Sequence, residues 1–167
     1  MLLSLVFLLE GTLIYWIIPS EWQQGMSLAP RLTLVLLLIY AMHRSRHIGL
    51  AFALFFGLIH DIGYASPMIG AHSLAMAIAV YGTASIGTRI KMTMANSFLL
   101  LALALLAYDL IVFSLYRLFQ VVVMSYSMMI THHMAPTLLF NLLFAVLVYV
   151  PMRKLLEKKS AAREEET

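Results

Sequence analysis

The chain has 167 residues, 62% of them hydrophobic and 11% charged, with a formal net charge of +3 and no cysteine. Soluble domains carry about 45–50% apolar and about 25% charged residues, so this chain has more apolar surface than a water-soluble fold can hide, and its solvent is lipid. The lack of cysteine excludes disulfides and thiolate metal sites. Neither a phosphate-binding glycine loop nor a basic–aromatic nucleic-acid surface is present.

Residues 1–18 are apolar except for Ser4, Glu10 and Thr12, close to the ~20 residues that span a bilayer. They lack a basic n-region and a small-residue cleavage pattern, so they read as a retained first helix and not a signal peptide. A polar loop, 19–30, follows, with Trp16 and Trp22 placed as interfacial anchors. The next predicted span, 28–43, is short. A basic connection, His43 to His47, leads into 48–87, which reads as the organising helical hairpin, with spans 48–65 and 68–86 around a break at Gly63 and Pro67. A second basic turn, Thr88 to Lys91, precedes the span 92–115. Residues 116–131 read as an interfacial or re-entrant piece, and 132–151 as the last span, running into Pro151 and a charged tail, 153–167, that continues as a short amphipathic helix.

Charge placement fixes the expected topology. Nine of the eleven Lys and Arg residues fall in three clusters, Arg44/Arg46, Arg89/Lys91 and Arg153 to Arg163; Arg31 and Arg117 stand apart. Six spans with both termini cytoplasmic put every cluster on the inner side, whereas five would strand one. The expected fold is therefore an all-α polytopic membrane protein, a six-helix transmembrane bundle over 1–152.

At about 1.5 Å of rise per residue, this topology places Asp61 roughly 20 Å and Asp109 roughly 25 Å from the cytoplasmic start of their spans, and Glu10 near mid-depth. His60, His72, His132 and His133 fall in the same outer half. Ionised groups at such depths need a partner or a task. Asp61 and Asp109 both lie towards the C-terminal end of their helix, where the macrodipole disfavours a negative charge, and Arg117 and the nearby histidines are the available partners. For Asp61, an interhelical packing bond and a partner- or substrate-contacting role are both open; Asp109 and Glu10 read first as packing locks. Imidazoles beside carboxylates would suit zinc, nickel or cobalt. Adjacent His132 and His133 point to different helix faces, however, and no metal site and no cofactor are expected. The tetrapeptide His60 to Gly63, HDIG, matches the core of HD-type phosphohydrolases, but it sits in an apolar span without the further ligands that chemistry needs. Small residues at Ala75, Ala77, Ala79, Gly82, Ala102, Ala104 and Ala107 allow close helix approach, and the methionines between Met124 and Met134 read as filler or as an adaptable contact surface.

The segment Gly57 to Asp61 (GLIHD), with Gly70 and Tyr81, then Pro136, Thr137 and Asn141, and finally Pro151-Met152-Arg153 before a basic tail, resembles the rod shape-determining MreD family over nearly the whole chain. That resemblance implies a fold similar to the substrate-binding subunits of energy-coupling-factor transporters. It also implies a non-enzymatic scaffold of the bacterial elongation complex in the plasma membrane. MreC would be its partner, with links to the actin-like MreB and to RodA and a class B penicillin-binding protein, in control of rod shape and peptidoglycan synthesis. Asp61 and Asn141 would be the family's polar landmarks. The alternative of another class is a substrate-binding subunit of a vitamin or metal transporter, for which a polar cluster in the outer half would be the ligand site.

Overall fold

The computed structural model describes residues 2–17, 29–43 and 46–164. The loop 19–28 with Trp22, the side chain of Trp16, Arg44 and the last three residues lie outside the described residues. All regular structure among the described residues is helical: α1 (Leu2–Ile17), α2 (Leu32–His43), α3 (Arg46–Gly63), α4 (Ala71–Gly87), α5 (Met94–Leu118), α6 (Tyr126–Met129), a π-helical turn (Ile130–Met134) and α7 (Ala135–Glu164).

The centre of the bundle is α2. Leu34 to Ile39 are all fully buried, and α2 packs against α1, α3, α4, α5 and α7. A helix enclosed on every side must be apolar on every side, and LTLVLLLIYAM satisfies that. The sequence marked this segment only as a short span and assigned the organising role to the hairpin 48–87. That hairpin does form, as the closely paired α3 and α4, but it wraps the short central helix.

Two hydroxyl caps set helix starts that the apolar pattern alone leaves vague: Thr93 accepts from the Asn96 amide at the start of α5, and Ser125 accepts from the Met128 amide at the start of α6. Residues 116–131 are consequently not one interfacial or re-entrant element. Tyr116 to Leu118 finish α5, 119–125 form a short connection, and Tyr126 opens the last helix. Met129 and Met134 anchor that opening against Phe113, while Met124 and Met128 are exposed. The π-helical turn lies just ahead of Pro136, which has no N–H and whose ring crowds the carbonyl four residues back; widening the turn relieves that crowding. The Ala135 amide bonds Ile130, five residues earlier. Pro151 does not end α7, which runs on to Glu164.

Met94–Leu118 and Tyr126–Tyr149 are long and apolar enough to cross a membrane, and the exterior is apolar well beyond them. Leu5, Leu8, Phe55, Leu58, Ile78, Leu99, Leu103, Leu139, Leu143 and Leu147 all face outwards. Exposed apolar surface this extensive belongs in lipid.

Helix ends sort into two levels. The His43 and Tyr149 rings meet at 6.2 Å, the Tyr149 hydroxyl donates to Ser97 at 2.8 Å, and Gly87 abuts Met42. The turns carrying Arg46, Arg89 and Lys91 and the exit of α7 therefore gather at one end. The closest backbone approach, in α3 against α4, uses Gly57: a Cβ there would sit 2.9 Å from the Ser73 amide nitrogen and closer still to its Cα. Ala75, Ala77, Ala79 and Ala104 are buried as expected of packing residues, but Gly82 faces open space and Ala107 is exposed. The small-residue reading fails at these two positions because composition alone does not tell which face of a helix meets a neighbour.

Gly57→Ala should prise α3 from α4 and cost about 1–3 kcal/mol or more. Gly82→Ala, into open space within α4, should leave stability undiminished or raise it by about 0.5–1 kcal/mol. Thermal denaturation of the two variants in detergent checks the contrast.

Candidate functional site

At the opposite end from the basic turns, the buried polar residues form two adjoining nodes. The first is built on Asp61, which is 1% exposed. Its carboxylate reaches across the hairpin to the start of α4. Oδ2 accepts from the amides of Gly70 at 2.8 Å and Ser73 at 3.3 Å, and Oδ1 accepts from the amide of His72 at 3.3 Å and from its Nδ1–H at 2.8 Å. Gly70, at the N-cap of α4, has a φ of 97° and no side chain with which to cap; a Cβ would strain that backbone. Asp61 does the capping from α3 instead. The difficulty posed by its position near the end of its own helix is thereby resolved, because the charge lies at the positive end of the next one. The hairpin is also held by Ser73 Oγ, which donates to the Leu54 carbonyl at 3.1 Å. Ser66 Oγ meets the Tyr116 hydroxyl at 2.7 Å and ties the turn to α5. The His60 ring stacks on that of His72 at 4.6 Å and is tilted against that of Tyr64 at 4.5 Å.

The second node is built on Arg31, just ahead of α2 and 7% exposed. Its Nε donates to Asp109 Oδ1 at 2.9 Å, its Nη2 lies 2.9 Å from the same oxygen, and its Nη1 donates to the Tyr108 hydroxyl at 3.1 Å. The partner of Asp109 is therefore Arg31 and neither Arg117 nor a histidine; Arg117 is exposed and lies over the Tyr126 ring at 4.5 Å. Burying both ions is tolerable because each is hydrogen-bonded as well as paired.

Around Arg31 the start of α2 is satisfied from two other helices. Glu10 Oε2, on α1, accepts from the Thr33 amide at 2.9 Å and hydroxyl at 2.7 Å. Asn141 Oδ1, on α7, accepts from the Arg31 amide at 2.8 Å, and the Thr137 hydroxyl accepts from the Ala29 amide at 3.2 Å. Tyr108 joins the nodes, its ring 6.1 Å from that of His72.

A family model described as rod shape-determining protein MreD matches residues 1–159. The chain belongs to the MreD family. It is thus a protein of bacterial rod-shape determination, in a membrane-protein family. No curated protein and no solved structure matches it.

Within this MreD-family fold, the sequence-derived candidates separate. His60, Asp61 and His72 come together; Asp109, Glu10 and Asn141 meet around Arg31. His132 and His133 lie on the π-helical turn, His132 exposed. Arg31, Tyr108, Thr33, Ser66, Ser73, Tyr64 and Tyr116 are members of the two nodes that sequence reasoning missed. For Arg31 a signal existed, since it is one of two cations outside the three basic clusters and follows a proline at the mouth of an apolar segment.

Removing one member of the ion pair, as in Asp109→Leu, leaves a buried unpaired guanidinium and should cost about 3–5 kcal/mol. The double variant Arg31→Met/Asp109→Leu should recover most of that loss. Glu10→Ala, which strands the Thr33 amide, should cost about 1–3 kcal/mol. Unfolding midpoints in detergent, combined in a double-mutant cycle, measure all three.

Proposed function

We propose that this MreD-family chain is a non-enzymatic scaffold of the elongation complex, crossing the plasma membrane six times with both termini in the cytoplasm. Its fold is akin to the transporter substrate-binding subunits. It binds MreC and links to MreB and to the RodA–penicillin-binding-protein synthase. The observation that carries this reading is that the buried carboxylates, Arg31 and Asn141 are occupied with one another and with helix backbones, the His60 Nδ1 being the exception among the described residues. Glu10 and Asp61 each cap a helix, Asp109 holds Arg31, and Asn141 holds the entry to α2. No nucleophile with a poised base emerges from that arrangement. Its product is a rigid core carrying an apolar exterior, which is what a subunit needs to hold partner helices in lipid. Gathering of the basic turns at one end supports the topology.

The transporter reading is weakened by the same contacts. Broken-helix transporters aim interior helix N-termini at anionic groups of the substrate, and here those of α2 and α4 are filled by Glu10 and Asp61.

The absence of native cysteine makes the topology directly testable. Ser125→Cys should react with a membrane-impermeant maleimide in whole cells, and Lys159→Cys only after permeabilisation; the reverse pattern overturns the arrangement. For the role, expression of the chain in rod-shaped cells depleted of their own family member should restore rods and retain MreC on affinity capture. Round cells holding normal amounts of membrane-inserted protein would reject it.

A further inference from the structure

We propose that His60, Asp61 and His72 bind a borderline divalent cation, zinc above all, which clamps α3 to α4 at the turn between them. This goes beyond the scaffold role and does not depend on it. One ligand-capable atom from each of the three residues lies within 4.8 Å of the others, and two imidazoles with one carboxylate form a set well suited to zinc.

Asp61 divides the work between its two oxygens. Oδ2 is committed to the Gly70 and Ser73 amides, so the cap on α4 survives when Oδ1 turns to a metal. Those two amides also fix the carboxylate, as supporting hydrogen bonds do in built metal sites. Oδ1 and His72 Nδ1 are 2.8 Å apart with a proton between them. A zinc ion with bonds of about 2.0–2.2 Å needs ligand atoms spaced by roughly 3.3 Å, so the pair opens by about half an ångström. The metal takes the place of that proton, which leaves to solvent.

His60 supplies the third ligand, and its state is otherwise unexplained. Its Nδ1 is buried with no hydrogen-bond partner, an expensive condition for a polar atom in an apolar bundle. The His60 ring is stacked on that of His72 at 4.6 Å and tilted against that of Tyr64 at 4.5 Å, and it swings on binding to close a ligand spacing of up to 4.8 Å to roughly 3.3 Å. The Ser66 and Tyr116 hydroxyls, each 3.4 Å from His72 Nδ1, border the same imidazole and can hold a water as fourth ligand. Access is by the turn itself, where His60, Ser66 and Tyr64 are all partly exposed, Tyr64 to 37%.

The test uses the full chain without a polyhistidine tag, purified in detergent and freed of metal by chelator. Zinc added to the wild type should raise the unfolding temperature and bind with a stoichiometry of one in calorimetry. His60→Phe keeps an aromatic ring against His72 and removes the ligand; it should fold with a metal-free unfolding temperature no lower than that of the wild type, because the orphaned Nδ1 is gone. Its zinc affinity should fall by more than the ten- to hundredfold that loss of a supporting hydrogen bond costs. The double variant His132→Ala/His133→Ala should bind zinc as the wild type does. Should His60→Phe fail to fold, cobalt added to the wild type decides: intense visible bands of a tetrahedral ion support the site, and the weak spectrum of the hydrated ion rejects it. No zinc stabilisation of the wild type, or stabilisation that persists in His60→Phe and vanishes in the His132/His133 variant, overturns the proposal.

Discussion

The constraint that shapes this molecule is the demand of two helix N-termini buried within an apolar bundle. The first amides of a helix have no partner inside it, and lipid offers no water to replace one. Here α2 and α4 both begin in the interior, and each is met by a carboxylate from the helix before it in the chain, Glu10 for α2 and Asp61 for α4. The two solutions share one logic. A negative charge that would be costly in hydrocarbon is placed at the positive end of a helix dipole, and donors that would otherwise be orphaned receive an acceptor. Neither partner could be buried alone.

From that requirement the rest of the interior follows. Because α2 starts at depth, the residue ahead of it, Arg31, is drawn into the bundle, and its guanidinium then needs an anion. Asp109 and the Tyr108 hydroxyl provide it from α5, and Asn141 and Thr137 secure the incoming backbone from α7. With Glu10 on α1, three helices are pinned to the start of a fourth. The Asp61 node pins α3 to α4, and Ser66 with Tyr116 extends the connection to α5. Van der Waals packing in membranes gives little directional preference, and hydrogen bonds at defined depths supply register. The polar end of this bundle specifies how the helices align, while the other end, among the described residues, is held by apolar packing and the Tyr149–Ser97 bond.

Much of this was legible in the sequence, and the failures have physical causes. The helices and the sorting of basic turns to one end follow from apolar run length and charge placement, which act over many residues. The approach of His60, Asp61 and His72 was also within reach, since a hairpin turn brings its own flanks together. Asp109 was assigned the wrong partner because Arg31, 78 residues away in the chain, looked like a loop residue at the edge of a span. The decisive fact, that α2 begins inside the bundle, is tertiary. The shortness of α2 was the clue: about 12 helical residues rise only some 18 Å, well under a bilayer core of about 30 Å, so one end had to stop within the protein. The same geometry makes α2 the hub, because a half-length helix cannot face lipid with a naked end. Ala107 and Gly82 misled for the opposite reason, being small residues on faces that meet no neighbour.

A bundle organised this way has its chemistry turned inward, and that bears on how it could serve rod-shape determination. If Asp61 contacted a partner protein directly, its oxygens would have to be reachable by a side chain, yet Asp61 is 1% exposed and each oxygen accepts two hydrogen bonds from α4. Only a small ion entering by the turn could displace the His72 proton. Under the proposed scaffold role, any influence of Asp61 on partners would pass through the hairpin it closes. The surfaces left for partners are the apolar faces of α1, α3, α4, α5 and α7 and the connections at the polar end, where Ile69, Phe119 and Val123 are exposed. Recognition there rests on shape, and a shape is reproducible only when the helices behind it keep a fixed register. The buried acids thus act through the fold: they make the exterior constant, and a constant exterior is what the scaffold proposed above would need to offer.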